Sequence, residues 1–337
     1  MRSVQPEDAG LCTRLMRGAG WVTLCLTLWG CTPPTPPPAD QAAPAIAATF
    51  YPTEFFASRI AGDQLDVRCP LPDDADPAEW KPTSEAIRIF QKAELIAMNG
   101  AEFEQWVKGA SLPLGRICET ARPLEGRLLR FAATTHAHGP SGQHTHQGID
   151  GHTWMDPNNA RDQAEALLAA MCQRWPQHTK VFTDRFEGLA ADLKALDARF
   201  IELSEQVRNV ALIATHPAYN YIAARYEWKI GDLDLPPEEP PSPEALRALA
   251  AMKKANEDCP IVLLFESPPH EAILKALASD RSVTPVVFTP CEMLDASDRA
   301  AGRTFLTVMH ANLDALGRAV GPTTPPNPDT PAPPALK

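Results

Sequence analysis

The 337-residue chain has 8 cysteines but no CxxC pair, and it carries no HExxH, GxSxG or P-loop pattern. Without paired thiolates at short spacing, a structural zinc site of the zinc-finger kind is excluded. The other absences remove the common signatures of metalloproteases, serine hydrolases and phosphate-binding loops. His270-Glu271 begins like the protease motif, but Leu274 stands where the second histidine would be. Positive charge is also short. Lys and Arg number 31 against 42 Asp and Glu, for a formal net charge of −11. That balance excludes a nucleic-acid partner, which requires a basic stripe, and suits a surface that attracts cations. No apolar run reaches the roughly 20 residues of a transmembrane helix.

Proline is abundant, at 35 residues, about twice the usual share, and most of the excess lies in three runs. The first follows a targeting segment. Arg14 and Arg17 precede the apolar stretch Trp21–Trp29, the pattern of a secretory signal peptide over residues 1–30, and Met16 is an alternative start. The stretch closes on Leu28-Trp29-Gly30-Cys31, which looks like a bacterial lipobox despite its atypical Trp29. Cys31 is therefore the expected lipidation site, with an ordinary cleaved signal as the alternative. Residues 31–45 are expected to form a stiff polyproline linker suited to holding a domain off a membrane, and the proline-rich residues 322–337 a disordered tail. Five cysteines lie beyond this linker: Cys69, Cys118, Cys172, Cys259 and Cys291. Their odd count leaves at least one free, and Cys259 and Cys291 fall at opposite ends of the predicted sheet.

Two α/β lobes are expected, over residues 46–176 and 209–321. In the first, short apolar runs at Ile46–Phe50, Leu65–Val67, Leu95–Met98 and Leu128–Phe131 alternate with helical patterns at Pro52–Ala61 and Ser84–Lys92. In the second, strands at Val210–Thr215, Ile230–Leu233, Ile261–Glu266 and Thr284–Phe288 alternate with helices at Ala218–Arg225, Pro243–Glu257, His270–Ala278 and Ala300–Val320. Such alternation implies parallel sheets flanked by helices. Asp156-Pro157 opens a further helix, with Asp as N-cap and Pro at the first position. Between the lobes, Phe182, Phe186, Leu189, Leu193, Leu196, Phe200, Leu203 and Val207 form one stripe at alternating spacings of four and three. A helix over 177–208 spans roughly 45 Å. It is either one seam of a coiled-coil dimer or a rigid bridge across two lobes, and the alternating patterns on both sides favour the bridge and a monomer.

Nine histidines occur in the chain, five of them between His136 and His152. His136-Ala137-His138 and His144-Thr145-His146 flank a Gly139-Pro140-Ser141-Gly142 turn that can fold the pairs together. Neutral imidazole is the commonest transition-metal ligand. The segment is either part of a built site or a solvated tract that chelates loosely. His152 lies just before the Asp156 cap, against the folded body. His216 and Glu266 follow apolar strands, where open α/β sheets line their ligand crevices. Glu266 is a candidate ligand, a partner orienting His216, or a loop cap. Cys291 and Glu292 are weaker candidates at the next strand end. His178, His270 and His310 read as surface or packing residues without partners.

Taken in order, several segments carry a resemblance: Thr49-Phe50-Tyr51-Pro52, Ala61-Gly62-Asp63, Asp76-Pro77…Lys81-Pro82-Thr83, Ala93-Glu94-Leu95-Ile96…Asn99-Gly100, His152-Thr153-Trp154-Met155-Asp156-Pro157, the long helix, Thr215-His216-Pro217-Ala218-Tyr219 and Phe265-Glu266. Over residues 46–320 the chain resembles the metal-binding components of zinc and manganese ABC importers. The resemblance implies two α/β lobes joined by one rigid helix, with the metal held between them. Of the family's four ligand positions, two match His152 and His216. Ala78 replaces the first histidine, and the acidic fourth falls on Thr289. Either the loop histidines His136, His138, His144 and His146 complete the shell with help from Glu266, or the usual site is abandoned. The loop pattern resembles a divergent subgroup and favours completion.

Imidazole-rich tetrahedral sites suit Zn²⁺, whereas Mn²⁺, the alternative, prefers oxygen; copper and nickel remain open on ligand type. The leading expectation is a lipid-anchored periplasmic receptor, not an enzyme, that passes its ion to an ABC permease of the inner membrane. A periplasmic zinc buffer or chaperone working without a transporter is the alternative. A zinc hydrolase with Glu266 as base is a third reading.

Overall fold

The computed structural model describes residues 43–73, 75–130, 134–138, 142–146, 148–278 and 282–321, with backbone alone for 134–138 and 142–146. The expected signal, the Cys31 lipobox, the proline linker up to residue 42 and the 322–337 tail lie outside the described residues. Among the described residues, no helix is long and apolar enough to cross a membrane.

The first lobe holds a four-stranded parallel sheet of β1 (Ile46–Ala48), β2 (Val67–Arg68), β3 (Leu95–Met98) and β4 (Ile117–Glu119) in the order β2-β1-β3-β4. Its helices are α1 (Tyr51–Ala61), α2 (Ser84–Lys92) and α3 (Pro157–Arg174). A hairpin, β5 (Thr134–His138) with β6 (Gly142–His146), interrupts the lobe and pairs His136 opposite His144. The local chemistry explains the helix starts. Thr83 Oγ1 accepts from Ala86 N at 3.2 Å. Asp156 accepts from Asn158 N at 2.8 Å, with Pro157 at the first helical position. Both are N-caps that satisfy an orphan donor.

The bridging helix α4 covers Thr179–Val207, 29 residues or roughly 43 Å. Every member of its predicted stripe is buried except Phe186, which is partly buried. The stripe packs on α1 and α3 and on α9 of the second lobe within one chain, which removes the need for a coiled-coil partner.

The second lobe repeats the plan with β7 (Ala211–Ala214), β8 (Ile230–Asp232), β9 (Ile261–Phe265) and β10 (Val283–Val287) in the parallel order β10-β9-β7-β8. Its helices are α5 (Asn220–Tyr226), α6 (Pro243–Ala255), α7 (Glu271–Leu277), α8 (Ala296–Ala300) and α9 (Phe305–Val320). A parallel sheet must be covered on both faces, and each sheet is. One apolar cluster runs from β1 and β3 through α4 to β7, β9 and β10. Smaller clusters fill the outer faces, around Phe90 and Trp80 in the first lobe and around Leu249 and Ile273 in the second.

Four expectations are corrected. Leu128–Leu129 is not a strand; the fourth strand of the first sheet is β4, whose half-exposed Ile117-Cys118-Glu119 gives too short an apolar run to stand out. The last helix starts at Phe305 and not at Ala300, because Thr304 and Thr307 form a reciprocal capping box there, and Ala296–Ala300 is the separate α8. His270 has a partner: it caps α7 by accepting from Ala272 N at 3.1 Å. His310 has one too, with its Nδ1 2.9 Å from Arg199 Nη1. Among the described residues all five cysteines are free, with Cys259 just before β9 and Cys291 beyond β10.

Candidate metal centre

The turn that precedes α3 in the first lobe meets the segments that follow β7 and β10 in the second. The turn that carries His152 is set by packing and polar contacts within the first lobe. Gly151 lies so close to Phe103 that a Cβ there would stand 2.8 Å from Phe103 Cβ, so only glycine allows this approach. Asn99 donates from Nδ2 to Gly151 O at 2.8 Å, and Thr153 Oγ1 donates to Asn99 Oδ1 at 3.0 Å. Glu104 is buried and accepts from Thr49 Oγ1 at 2.6 Å and from Asn99 N at 2.7 Å. Burial raises its pKa. This network gives the Asn99-Gly100 element a physical role: it is the support on which the His152 turn rests.

The opposing wall is the loop after β10. Tyr219 Oη donates to Phe288 O at 2.6 Å, Asn312 Nδ2 to Thr289 O at 2.8 Å, and Trp154 Nε1 to Pro290 O at 2.9 Å. Cys291 then adopts φ +59°, a left-handed conformation that costs energy in a non-glycine residue. Tyr51 N, at the start of α1, donates to Glu292 O at 3.2 Å. The turn sends the Glu292 carboxylate toward His152, and Glu292 Oε1 lies 3.0 Å from His152 Nε2.

One ligand atom from each of His152, His216 and Glu292 falls within 4.8 Å of the other two. The His152 and His216 rings are 5.6 Å apart at 79°. Glu266 stands beside this group, its Oε2 3.5 Å from His216 Nδ1. Thr289 takes no such position. Its side chain accepts from Cys291 N at 3.1 Å and shapes the loop, and the acid comes three residues later. Neither the left-handed turn nor that offset is visible in sequence; only the acidic residue beside a strand-end proline gave a signal. Ala78 is partly buried against the core and offers no donor side chain. The four loop histidines occupy the β5–β6 hairpin, and their side chains lie outside the described residues.

Charge in the cluster is strongly coupled. Burial disfavours the His152 imidazolium, but Asp150 and Glu292 on either side outweigh it and raise the pKa to about 10. Glu266 is pushed up to about 8 by burial and by repulsion from Glu292, Glu238 and Asp76, with His152 opposing. Glu292 is also raised by burial, against the pull of His152. All three groups hold protons more tightly when folded than when unfolded, so stability falls as pH rises. The Glu266 contribution is present below the ordinary carboxyl value of 4.5 and is lost by about 8; that of His152 is present below 6.5 and is lost by about 10. The protein stripped of metal by a chelator is therefore expected to melt at a higher temperature at pH 5.5 than at pH 8. A divalent ion that takes His152 Nε2 must displace the proton shared with Glu292, so binding releases protons at pH 7. Calorimetry in buffers of different ionisation enthalpy reads that release directly.

Residues 46–319 match the family described as zinc-uptake complex component A, periplasmic. The zinc-binding lipoprotein AdcA of Streptococcus pneumoniae is 27 % identical over 277 residues, covering 80 % of this chain but 54 % of the relative, so the chain spans about half the length of that protein. The high-affinity zinc uptake system protein ZnuA of Bacillus subtilis is 26 % identical over 277 residues, covering 80 % of this chain and 86 % of the relative. Among solved structures, the metal-dependent lipoprotein YcdH of B. subtilis superposes with TM-score 0.70 at 24 % identity over 82 % of this chain and 98 % of that one. The Zn(II)-bound ZnuA-like domain of S. pneumoniae AdcA gives the same TM-score, 0.70, at 24 % identity over 83 % and 99 %. These structures share the two-lobed fold with its long connecting helix. The chain belongs to the family of periplasmic A components of zinc-uptake complexes.

Proposed function

We propose that the protein captures Zn²⁺ between its lobes through His152, His216 and Glu292 and delivers it to an ABC permease in the membrane, as a binding component and not an enzyme. The observation that carries this reading is the convergence of those three donors, one from the turn before α3 and two from beyond β7 and β10, within 4.8 Å. Two imidazoles and one carboxylate are a zinc-type donor set, poorer in oxygen than manganese favours. They leave one tetrahedral position for water or for a histidine of the β5–β6 hairpin. Glu266, on the far side of His216 Nδ1, serves in this reading to orient the ring and keep Nε2 for the ion. Lipidation at Cys31, with the polyproline run as spacer, would keep this receptor at the periplasmic membrane surface. The names of the AdcA and ZnuA relatives, both tied to zinc, agree with this cargo.

The test is calorimetric titration of purified protein with Zn²⁺. Wild type is expected to show one tight site per chain, and His216→Ala to lose it. No tight site in wild type, or an unchanged site in His216→Ala, would sink the proposal. Deleting residues 134–146 assigns the fourth position: the tight site is expected to survive at reduced affinity, and its complete loss would make a hairpin imidazole an essential ligand.

A further inference from the structure

Asp150 lies two residues before His152 and is fully buried. Its Oδ1 accepts from His152 N at 2.9 Å and sits 2.8 Å from His152 Nδ1. Its Oδ2 accepts from Asn220 Nδ2 at 2.9 Å, across the cleft. Its backbone carbonyl accepts from Tyr221 Oη at 2.9 Å, and the same hydroxyl accepts from Leu129 N at 3.1 Å. Leu129 and Asp150 lie at the root of the β5–β6 hairpin, where Arg130 and Ile149 form an antiparallel bridge. One tyrosine of the second lobe thus holds both chains of that root.

Asn220 and Tyr221 are the first two residues of α5, four and five positions after His216. The segment that carries one candidate ligand therefore reaches across and grips the carboxylate behind the other. A histidine whose Nδ1–H is held by a carboxylate presents its bare Nε2 in a fixed direction, and such partners raise the basicity of the ring. Here that carboxylate is aimed from the opposite lobe.

We infer that Asp150 is a positioning residue for metal capture, and that Asn220 and Tyr221 form an interlobe clamp which aims it, so that the His152 and His216 rings are held in register before the ion arrives. The inference rests on the zinc-capture reading. It implies a preorganised site in which affinity comes from a low ordering cost and lobe closure contributes little.

The test compares Asp150→Asn, Asn220→Ala and Tyr221→Phe with wild type and with His152→Ala. Zn²⁺ affinity is expected to fall about 10–100-fold in Asp150→Asn, the range for loss of an outer-shell partner, and by a smaller factor in Asn220→Ala. Thermal unfolding of the chelator-treated proteins is expected to change little in Asn220→Ala. In ¹⁵N-histidine spectra of the zinc-loaded protein, wild type is expected to show a slowly exchanging His152 Nδ1 proton. That exchange is expected to accelerate in Asn220→Ala, which leaves Asp150 intact, and a purely structural role would not move it. If wild type binds zinc tightly and His152→Ala does not, while Asp150→Asn and Asn220→Ala bind within twofold of wild type, the clamp is refuted and the capture reading stands. If Asp150→Asn fails to fold, Asn220→Ala and Tyr221→Phe decide by the same criterion. If His152→Ala binds as wild type does, both inferences fall.

Discussion

Glu292→Ala is expected to weaken zinc binding by more than the roughly 10–100-fold that loss of an outer partner costs, whereas Thr289→Ser, which keeps the loop hydroxyl, leaves affinity within a few fold. The carboxylate is one of three donors within 4.8 Å of one another. Its removal leaves two imidazoles, too few for a closed tetrahedral shell. Glu266 does not replace it, because that side chain faces His216 Nδ1 at 3.5 Å on the other side of the ring. Calorimetry or competition with a chelating dye measures the loss. An unchanged affinity in Glu292→Ala would show that the ion sits elsewhere. Glu266→Gln separates the two carboxylates further, since an orienting role predicts a smaller fall than the loss of Glu292.

Phe200→Ala is expected to lower the unfolding free energy by about 3–5 kcal/mol, the usual cost of emptying a buried aromatic site. Phe200 is fully buried on α4, stacked on Tyr226 with ring centroids 4.8 Å apart at 4°, and it also touches Trp228 and Phe288. Its neighbours belong to the second lobe, while the same helix buries Phe182 and Leu189 in the continuous core shared with the first. Far-UV circular dichroism and tryptophan fluorescence are therefore expected to report one coincident transition, displaced to lower denaturant. Two separated transitions would show that the lobes unfold independently and that α4 does not couple them.

Much of the architecture was legible in the chain because it depends on local periodicity. The stripe from Phe182 to Val207 marked α4 to within two residues at its start, since an amphipathic repeat of that length has few other uses. Asp156-Pro157 marked a helix start because a side-chain oxygen there meets an otherwise orphaned amide. Strand β4 escaped notice because it is an edge strand of three half-exposed residues. The break before α9 was hidden because Thr304 and Thr307 cap each other without a glycine or proline to announce it.

The candidate site divides in the same way. His152 and His216 were readable, because each stands in a recognisable turn beside an apolar strand or a capped helix. Glu292 is a weak signal in sequence, since only the left-handed residue at Cys291 and hydrogen bonds from Trp154, Tyr219 and Asn312, all distant in the chain, bring its carboxylate to His152 and turn Thr289 into the loop. Asp150, Asn220 and Tyr221 gave no signal, because their partners lie about 70 residues away. The alternation of strands and helices, the bridging helix and the imidazoles available to a metal all follow from residue type and spacing along the chain. Which carboxylates face those imidazoles, and how one lobe holds the ring of the other, cannot be read along the chain, because coordination and hydrogen bonding depend on distances of about 3 Å between groups that meet only on folding.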